Sequence, residues 1–249
     1  MKRKISIIIP ILNEADTIQS LLSHLIDNSK SYNISEIIIV DGGSTDGSME
    51  IVQRFIQHKD KNSPNVLSLQ GARGRAKQMN QGASAANGDI LYFLHADSFP
   101  PKNFDSYIIN EVEKGNHAGC FRMRFDDNHW WLKLAGWLTQ FNVRACRGGD
   151  QSQFITKKLF NEIGGYDEDF IIYEDNILIN ELYARKEFVV IPQTLTTSAR
   201  LYREKGIWRL QYHFWMIYLK RIFGASADEL YKYYRKNISG NPRPILDKA

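Results

Sequence analysis

Apolar runs and longer amphipathic stretches alternate along the first hundred residues. The apolar runs, rich in isoleucine and valine, predict four strands at positions 4–9, 36–40, 65–69 and 89–94. Apolar residues spaced three and four apart predict helices at positions 13–28 and 46–57, and an alanine-rich stretch predicts a third at 75–87. Asn13 is the expected cap of the first helix, and Gly88 is the expected C′ residue of the third. Because repeated βα units favour parallel pairing with right-handed crossovers, an α/β fold with a mostly parallel central sheet is predicted.

The second half of the chain has a less regular pattern, with more helix than strand. Helices are predicted near 103–114, at 130–141, before Gly164-Gly165, and at 175–184, 208–223 and 228–236. Strands are predicted near 119–125 and around Phe154. The sequence contains no internal repeat, low-complexity block or linker, so a single domain over 1–249 is predicted. It has a core at about 4–200, a basic aromatic helical region at about 201–236, and a tail at 237–249.

Composition places the chain among soluble globular proteins, since 43% of its residues are hydrophobic and 24% are charged. The apolar start resembles a signal peptide, but Pro10 interrupts it and no small-residue cleavage site follows. No stretch reaches the roughly 18 uncharged apolar residues that a membrane-spanning helix needs. Cys120 and Cys146 have no metal or redox spacing and are expected to be buried thiols of a reducing compartment. These features predict a cytoplasmic protein.

Charge is distributed unevenly along the chain. Residues 200–249 contain 11 Lys/Arg and 4 Asp/Glu, whereas the preceding residues contain 21 and 24. The cations of this last part lie among aromatic residues, a pattern typical of helices at a membrane interface. A helix packed on the core, with its basic residues solvated, would have the same pattern. Nucleic acid is not a predicted partner, because no nucleic-acid-binding motif accompanies these cations.

Polar segments follow each of the first four predicted strands. They are Ile9-Pro10-Ile11-Leu12-Asn13-Glu14, Asp41-Gly42-Gly43-Ser44-Thr45-Asp46, Gly71-Ala72-Arg73-Gly74-Arg75-Ala76-Lys77, and His95-Ala96-Asp97. The carboxyl ends of parallel strands share one edge of the sheet, and ligands bind at that edge in open α/β sheets. The four segments together offer acids and an amide for a nucleoside, cations for phosphates, and a carboxylate with a histidine for a divalent metal.

The Asp41 turn is the most informative of the four segments. A phosphate-binding loop would present glycines first, so that backbone N–H groups face the anion. Here a carboxylate comes first, and a carboxylate accepts hydrogen bonds from a ring N–H or a hydroxyl. The turn therefore favours a nucleoside as the ligand, although a surface turn in which Ser44 and Asp46 cap a helix would look the same.

Two other enzyme classes built on such sheets are disfavoured. A dinucleotide-dependent oxidoreductase needs a Gly-x-Gly-x-x-Gly turn after the first strand, where this chain has Pro10-Ile11-Leu12-Asn13. A nucleotidyltransferase is expected to have an N-terminal glycine-rich loop with Lys or Arg, and the sequence has none.

With these motifs in this order, the chain resembles the family 2 glycosyltransferases, nucleotide-sugar-dependent enzymes with the GT-A fold. The resemblance covers about residues 4–200. Further matching elements are Arg73…Asn80…Gly82…Ala85…Gly88-Asp89, then Leu94-His95-Ala96-Asp97-Ser98 in place of Asp-x-Asp. Gly164-Gly165-Tyr166 followed by Glu174-Asp175 matches the family's acceptor-side Gly-Gly-aromatic and Glu-Asp elements. His95-Ala96-Asp97 together with Gly149-Asp150-Gln151 is most similar to a small bacterial subgroup, the radical-SAM/selenodomain-associated glycosyltransferases.

The resemblance implies an inverting, metal-assisted transfer of a sugar from a nucleoside diphosphate sugar to an acceptor hydroxyl, and a uridine diphosphate sugar is the expected donor. It assigns nucleotide-sugar binding to Pro10, Asn13, Glu14, Asp41, Gly43, Ser44, Arg73, Arg75, Lys77, Asn80, His95 and Ala96. A catalytically silent module that binds a nucleotide sugar or a membrane surface is the alternative, because the metal motif is incomplete.

His95 stands where the family has the first Asp of its metal motif. The predicted cofactor, Mn²⁺ or Mg²⁺, would be held by Asp97, the diphosphate and waters. His95 is then either a nitrogen ligand or a residue that packs under the nucleotide. An imidazole ligand suits Mn²⁺ better than Mg²⁺, which strongly prefers oxygen.

The resemblance assigns the catalytic base to Asp175, which would take the proton of the acceptor hydroxyl. Glu174 and Asp175 also stabilise a helix start electrostatically, so a structural role explains the same residues. Asp150 is the competing carboxylate and is expected to orient the acceptor or the sugar.

Candidate acceptor-side residues lie in the last part of the chain. Arg200, Arg203 and Trp208 lie where family members have a flexible loop near the acceptor, although solvated basic residues explain them equally. An interfacial helix at 208–223 would suit a lipid-linked acceptor and peripheral attachment at the inner face of the cell membrane.

Overall fold

The computed structural model describes residues 3–148 and 151–239. Within these ranges the strands are β1 (Ile5–Ile11), β2 (Ile34–Asp41), β3 (Asn65–Gln70), β4 (Ile90–Phe93), β5 (Ser98–Phe99), β6 (Ala118–Phe125), β7 (Gln153–Thr156) and β8 (Phe188–Thr197). The α-helices are α1 (Ile18–Asp27), α2 (Ser48–His58), α3 (Arg75–Ala85), α4 (Phe104–Glu113), α5 (Trp130–Leu138), α6 (Lys157–Ile163), α7 (Glu174–Ala184), α8 (Arg200–Lys205), α9 (Ile207–Ile222) and α10 (Ala227–Tyr234).

One sheet contains these strands in the order β3-β2-β1-β4-β7-β6-β8-β5. The first four are parallel to one another, and Ile7 of β1 lies between Ile37 of β2 and Tyr92 of β4. β7 runs antiparallel to β4 and β6, and β5 runs antiparallel to β8. Because β1 to β4 end at one edge, the four polar segments that follow them are neighbours, as the sequence predicts.

Helices cover both faces of the sheet. Side chains alternate along β1, so that Ile7 and Ile9 belong to one hydrophobic cluster and Ile8 to another. The first cluster includes residues of α1 and α4, and the second includes residues of α3 and α7. The predicted α/β fold with a mostly parallel central sheet flanked by helices is confirmed.

The first helix begins later than the sequence predicts. α1 starts at Ile18, whereas Asn13, its predicted cap, has a positive φ of 60°. Asn13 forms its hydrogen bonds with the turn after β2 instead. A partner 31 or more residues away therefore takes the place of the helix cap, and local sequence pattern carries no sign of it.

The prediction that Gly88 ends the third helix is wrong. α3 ends at Ala85, and Ala86 is the residue that follows it as the cap. Gly88 packs against β1 instead: its backbone N–H donates to Ser6 Oγ (2.8 Å). A Cβ on Gly88 would lie 2.7 Å from the Ser6 backbone nitrogen. Close approach of two backbones, rather than a helix end, explains this glycine.

Three short or irregular elements were not predicted as such. β5 has two residues and α8 has six, which is too short for a periodic pattern. β8 contains Pro192, alternates weakly in burial, and pairs with β6 across a register shift after Phe121. Tertiary pairing, rather than local hydrophobic pattern, defines these elements.

Contacts group the chain into two compact units. Unit 1 comprises Met1–Glu168 and Tyr173–Ser198, and unit 2 comprises Asp169–Ile172 and Ala199–Ala249. The sheet lies in unit 1. Unit 2 contains α8, α9 and α10, with Leu210 and Leu230 among its buried residues. The predicted single-domain organisation, with its helical region starting at about 201, stays a prediction. Over the described residues, every helix is too short or too polar to cross a membrane.

Candidate active site

Hydrogen bonds connect the segment after β1 to the turn after β2. Asn13 N donates to Ser44 Oγ (2.8 Å), and Thr45 N donates to Asn13 Oδ1 (2.8 Å). One residue further on, Glu14 N donates to Ser48 Oγ (2.8 Å). We call residues 12–16 and 42–48 the paired loops. Their mutual hydrogen bonds give the edge of the sheet one continuous polar surface.

Asp46 completes the connection between the paired loops. Its carboxylate accepts hydrogen bonds from Ala15 N (3.0 Å), Ser48 Oγ (2.5 Å) and Ser48 N (3.0 Å). Desolvation disfavours the charged form, but these hydrogen bonds outweigh it and hold the pKa of Asp46 below its ordinary value. Asp46 is therefore a charged organiser of the loops at neutral pH.

Asp41 closes its own turn. Its Oδ1 accepts hydrogen bonds from Ser44 Oγ (2.6 Å) and Ser44 N (3.0 Å), and its Oδ2 accepts one from Gly43 N (3.2 Å). Gly43 has a φ of 93°, in the left-handed region that favours glycine. The buried carboxylate thus shapes the paired loops, and its direct contact with a nucleoside stays a prediction.

Gln78 of α3 joins the ends of β1 and β2, which sequence reasoning did not foresee. Its Nε2 donates to Ile11 O (2.9 Å) and to Val40 O (2.7 Å). Gly42 leaves room for this side chain, since a Cβ there would lie 3.0 Å from Gln78 Oε1. The position of α3 relative to the paired loops is therefore fixed by a side-chain amide.

The three cations predicted to meet phosphates have different surroundings. Arg73 and Lys77 are exposed. Arg75 Nη1 lies 3.3 Å from Glu174 Oε1 and 3.7 Å from Asp175 Oδ2. Arg75 thereby links the segment after β3 to the start of α7. The ion pair brings a predicted phosphate ligand together with the predicted base and its neighbour.

The two carboxylates at the start of α7 differ in how deeply they are buried. The Glu174 side chain is almost completely buried, and that of Asp175 is slightly more exposed. Burial raises the pKa of Glu174, and the Arg75 guanidinium offsets this only in part. Both residues also lie in the first turn of α7, so the structural role left open by the sequence applies to them as well.

Asn80 positions the loop that carries Tyr166. Its Nδ2 donates to Tyr166 O (2.9 Å) and to Glu168 Oε1 (2.9 Å), and its Oδ1 accepts from Tyr166 N (2.9 Å). Gly165 has a φ of 82°, and a Cβ on it would lie 2.8 Å from Asn80 Oδ1. Asn80, predicted among the nucleotide-sugar residues, is thus placed as the support of the Gly-Gly-aromatic motif.

The turn from His95 to Ser98 is connected to β8. Ser98 N donates to His95 O (3.1 Å), and Ser198 N donates to Asp97 O (3.2 Å). Ala96 is buried in the core, whereas His95 and Asp97 are half-buried. In the described part of the chain, no three His, Cys, Asp or Glu side chains form a cluster suited to a metal. A divalent ion held by Asp97 and His95 would therefore need substrate phosphates and water as its remaining ligands.

A small recess joins these parts of the site. Its walls include Pro10, His95, Gln153, Tyr166 and Asp175, and it is too narrow to hold a water molecule. The end of β1, the segment after β4 and the start of α7 meet there. Residues predicted for the nucleotide, the metal and the base therefore share one concave surface.

A wider groove of about 670 Å³ lies between α5 and the strands β6 and β8. Arg122, Lys133 and Trp137 are among its walls, but no residue of the four polar segments is. We therefore place the candidate active site at the recess and the paired loops.

The competing carboxylate, Asp150, lies outside the described residues, as does Gly149. Just before them, buried Arg147 donates to Thr139 O (2.6 Å) and Gln151 Oε1 (3.1 Å) and contacts the buried Cys120 thiol. Desolvation raises the pKa of Cys120 to about 11, although Arg147 opposes this. Cys120 is thus buried as predicted, whereas Cys146 is only half-buried.

Gln78, Arg147 and Gln153 are the buried polar residues that sequence reasoning missed near this site. The sequence marks these residues only weakly, because a partly exposed helix or strand also has polar residues among apolar ones. Arg200, Arg203 and Trp208, predicted near the acceptor, lie in unit 2.

The fold and the site define an α/β protein that presents polar loops for a ligand beyond the carboxyl ends of parallel strands. The chain belongs to the glycosyl transferase family 2, whose model matches residues 6–179.

Curated relatives share parts of this chain. It is similar to the undecaprenyl-phosphate 4-deoxy-4-formamido-L-arabinose transferase of Proteus mirabilis, with 25% identity over 79% of this chain and 57% of the relative. It is also similar to the poly-beta-1,6-N-acetyl-D-glucosamine synthase of Staphylococcus aureus, with 32% identity over 47% of this chain and 27% of the relative. The chain therefore spans only part of the length of these relatives.

Solved structures share the fold. Staphylococcus aureus TarS, residues 1-349 in complex with UDP, has a TM-score of 0.64 and 18% identity, covering 79% of this chain and 60% of that one. The mannosyltransferase PcManGT of Pyrobaculum calidifontis, in complex with GDP-Man and Mn²⁺, has a TM-score of 0.64 and 19% identity, covering 98% and 66%. The predicted GT-A fold is confirmed.

Proposed function

We propose that this chain transfers a sugar, with inversion, from a nucleoside diphosphate sugar to an acceptor hydroxyl. The observation that carries the proposal is the recess in which Pro10 and His95, from the nucleotide side, meet Asp175. A carboxylate next to a donor site is what a single displacement at the anomeric carbon needs. Family membership supports the reaction class. Placement in the radical-SAM/selenodomain-associated subgroup stays a prediction.

Asp175 is the proposed general base. It accepts the proton of the acceptor hydroxyl while that oxygen attacks the anomeric carbon and the nucleoside diphosphate leaves. Arg75, whose guanidinium lies 3.7 Å from Asp175 Oδ2, favours the ionised carboxylate. Buried Glu174 keeps Arg75 in place, and we propose that Asp150 orients the sugar or acceptor.

The proposed donor site comprises the paired loops and the residues that follow β3 and β4. Asn13, Glu14, Asp41, Gly43 and Ser44 would surround the nucleoside. The exposed Arg73 and Lys77 can turn toward the diphosphate, because no described contact restrains their ends. Uridine is the proposed nucleoside, and TarS, which shares the fold, is solved with UDP.

A divalent metal fits this site only together with the donor. Asp97, with His95 beside it, would supply the protein ligands, and Mn²⁺ is preferred over Mg²⁺ if the imidazole takes part. When bound, the ion would stabilise negative charge on the diphosphate. PcManGT, which shares the fold, is solved with Mn²⁺.

A screen of donors tests this proposal. UDP, GDP and TDP sugars are incubated with the chain, with and without Mn²⁺, and both binding and release of the nucleoside diphosphate are measured. We expect one donor class to bind and to be hydrolysed slowly, with Mn²⁺ tightening its binding. Binding of none of these nucleotides would contradict the proposal.

Two substitutions separate the metal ligands. Asp97→Ala is expected to abolish the tightening by Mn²⁺, because it removes the one carboxylate of the set. His95→Ala is expected to reduce the preference for Mn²⁺ over Mg²⁺ if the imidazole is a ligand. Unchanged Mn²⁺ dependence in His95→Ala, measured by calorimetry, would show that His95 only packs under the nucleotide.

We further propose a lipid-linked acceptor and peripheral binding of unit 2 to the inner face of the cell membrane. One face of α9 exposes large apolar side chains: Trp208, Tyr212, Trp215, Leu219 and Ile222, with Phe223 following. These positions form a single stripe at helical spacing, and Arg209 borders it. Anionic lipid attracts each nearby cation by about 1 kcal/mol, and aromatic rings insert at headgroup depth. One curated relative is named as an undecaprenyl-phosphate transferase.

Vesicle binding tests the membrane proposal. Lys220 and Arg221 stack on Tyr233 and Phe170 within unit 2, so reversing their charge would disturb the unit itself. Ile222→Glu and Phe223→Glu are cleaner, because these side chains are 78% and 80% exposed. We expect the double variant to lose salt-sensitive binding to anionic vesicles, while Tyr32→Glu, at an exposed aromatic in unit 1, keeps it. If the wild-type chain ignores such vesicles at low salt, a soluble acceptor becomes the better proposal.

A further inference from the structure

Two buried polar side chains in the recess lack hydrogen-bond partners among the described residues. They are Gln153, through both Nε2 and Oε1, and Tyr166, through its hydroxyl. Their exposed fractions are 4% and 3%. Buried polar groups are nearly always hydrogen-bonded in native structures, so a pair of exceptions in one recess requires an explanation.

A comparable buried tyrosine nearby does have a hydrogen-bond partner for its hydroxyl. Tyr92 is completely buried on β4, and its hydroxyl donates to Ser152 Oγ (2.8 Å). Ser152 is the residue just before Gln153 in the chain. The unsatisfied hydroxyl of Tyr166 is therefore a property of the recess, rather than of buried tyrosines in this sheet.

Both unsatisfied side chains are held at the active-site edge. Gln153 pairs with Phe93, the last residue of β4, two positions before His95. The ring of Tyr166 packs against Phe93 (5.0 Å between centroids) and Phe160 (5.7 Å). Asn80 fixes the backbone of Tyr166 on both sides. These contacts fix the position of the Tyr166 hydroxyl, so its loop need not rearrange for the hydroxyl to face the recess.

The chemistry of the recess suits a neutral ligand with several hydroxyls. Burial, reinforced by the charges of Asp175 and Glu174, keeps the pKa of Tyr166 well above its ordinary value, so its hydroxyl stays a neutral donor. Gln153 offers a donor and an acceptor, and Asp175 offers acceptors. None of the described residues that line the recess is a lysine or an arginine, which disfavours a phosphate.

We infer that Gln153 and Tyr166 bind hydroxyl groups of the donor's sugar and help to determine which sugar is transferred. The inference rests on the proposed function, since it assigns a sugar to the recess beside the base. As it stands, the recess is a narrow cleft that cannot hold a whole nucleotide sugar. Its space is narrower than a water molecule throughout, so the flexible Gln153 side chain must rotate to admit a hydroxyl.

Three variants test the inference: Tyr166→Phe, Gln153→Met and, as the matched control, Tyr92→Phe. For each, calorimetry measures the affinity for UDP-glucose, UDP-N-acetylglucosamine and GDP-mannose against that for UDP or GDP alone. Thermal unfolding is measured on the same samples. The affinity for the nucleoside diphosphates is expected to match wild type in all three variants.

The inference predicts opposite signatures for the two tyrosines. Tyr166→Phe and Gln153→Met should weaken binding of the preferred nucleotide sugar by about two- to tenfold, with an unchanged or higher unfolding midpoint, because a buried unsatisfied group is removed. Tyr92→Phe should keep nucleotide-sugar affinity and lower the midpoint by about 2–4 °C, because a satisfied hydrogen bond is lost.

Other results would overturn the inference. Unchanged nucleotide-sugar affinity in Tyr166→Phe and Gln153→Met, with nucleotide binding intact, would show that the residues only fill the core and leave the proposed function standing. A rise in the KM of the acceptor alone would assign the recess to the acceptor. If neither nucleotides nor nucleotide sugars bind wild type, the proposed function and the inference fail together.

Discussion

The paired loops and the recess adjoin the same sheet edge but differ in how their polar groups are satisfied. In the paired loops, the carboxylates of Asp41 and Asp46 accept hydrogen bonds from neighbouring N–H and O–H groups. In the recess, Gln153 and Tyr166 have unsatisfied groups within the described chain, and burial raises the pKa of nearby Glu174. The first region is organised before any ligand arrives. The second has hydrogen-bonding capacity that a ligand can complete.

This difference separates recognition of the nucleoside, in the paired loops, from the steps that involve the sugar, in the recess. A preorganised surface loses little conformational entropy when it binds, which suits recognition of the nucleoside. Groups that are buried and incompletely satisfied are costly to the fold, and a bound ligand is one explanation of such groups in a recess. We therefore expect substitutions in the two regions to affect different steps.

The largest effect is expected at the base. Asp175→Asn should lower transfer by about 10²–10⁴-fold, because the amide cannot accept the hydroxyl proton, while donor affinity stays close to wild type. Nucleoside diphosphate release and calorimetry measure the two quantities. Asp60→Asn, at an exposed acid in the loop before β3, serves as the control and should change neither. Near-native transfer by Asp175→Asn would make Asp150 the better candidate.

A smaller effect is expected in the paired loops. Asp41→Ala should weaken nucleoside diphosphate binding by about 1–3 kcal/mol, because the hydrogen bonds that shape the turn are lost together with any contact to the base. Asp41→Asn keeps one acceptor oxygen, so its affinity for the nucleoside diphosphate should lie between those of wild type and Asp41→Ala. Circular dichroism confirms folding, and calorimetry gives the affinity. Unchanged affinity in folded Asp41→Ala would remove this turn from the binding site.

The smallest effect concerns stability and pH. A carboxyl whose pKa is raised on folding stabilises the protein below its ordinary pKa of about 4.3, and this contribution disappears as the pH rises through the raised value. The stability that Glu174 contributes to wild type should therefore decrease as the pH rises through the weakly acidic range. Glu174→Gln should not show this decrease. Asp46 has the opposite sign: its lowered pKa contributes stability that is lost as the pH falls. Asp46→Asn should thus lose stability chiefly at neutral pH. Identical pH profiles of chemical unfolding for wild type and both variants would contradict the contrast.

Local pattern predicted the strands that build the edge and the segments that follow them. Four apolar runs, each followed by a polar turn, were enough to place Asn13, Asp41, Arg75 and Asp97 at one edge of a parallel sheet. Their partners could not be predicted, because each depends on a contact between distant parts of the chain. Arg75 pairs with Glu174, which is 99 residues away, and Asn80 supports Tyr166, which is 86 away.

The recess shows the same limit more clearly. Gln153 looks like an ordinary polar residue near a strand, and only the packing of β7 beside β4 shows that it is buried next to His95. The sequence does give Gly165 and Tyr166 as a motif. What it omits is that the tyrosine hydroxyl is left unsatisfied, since this follows from the surrounding side chains.

Hydrogen exchange of the backbone tests the division of the site most directly. The exchange of wild-type chain is compared with Mn²⁺ alone, with Mn²⁺ and UDP, and with Mn²⁺ and the donor found in the screen. We expect UDP to protect residues 12–16 and 42–48, and the sugar of the donor to add protection around 151–154 and 165–166. Equal protection of both regions by UDP alone, or protection of neither, would contradict the division between a preorganised nucleotide surface and a recess completed by the sugar.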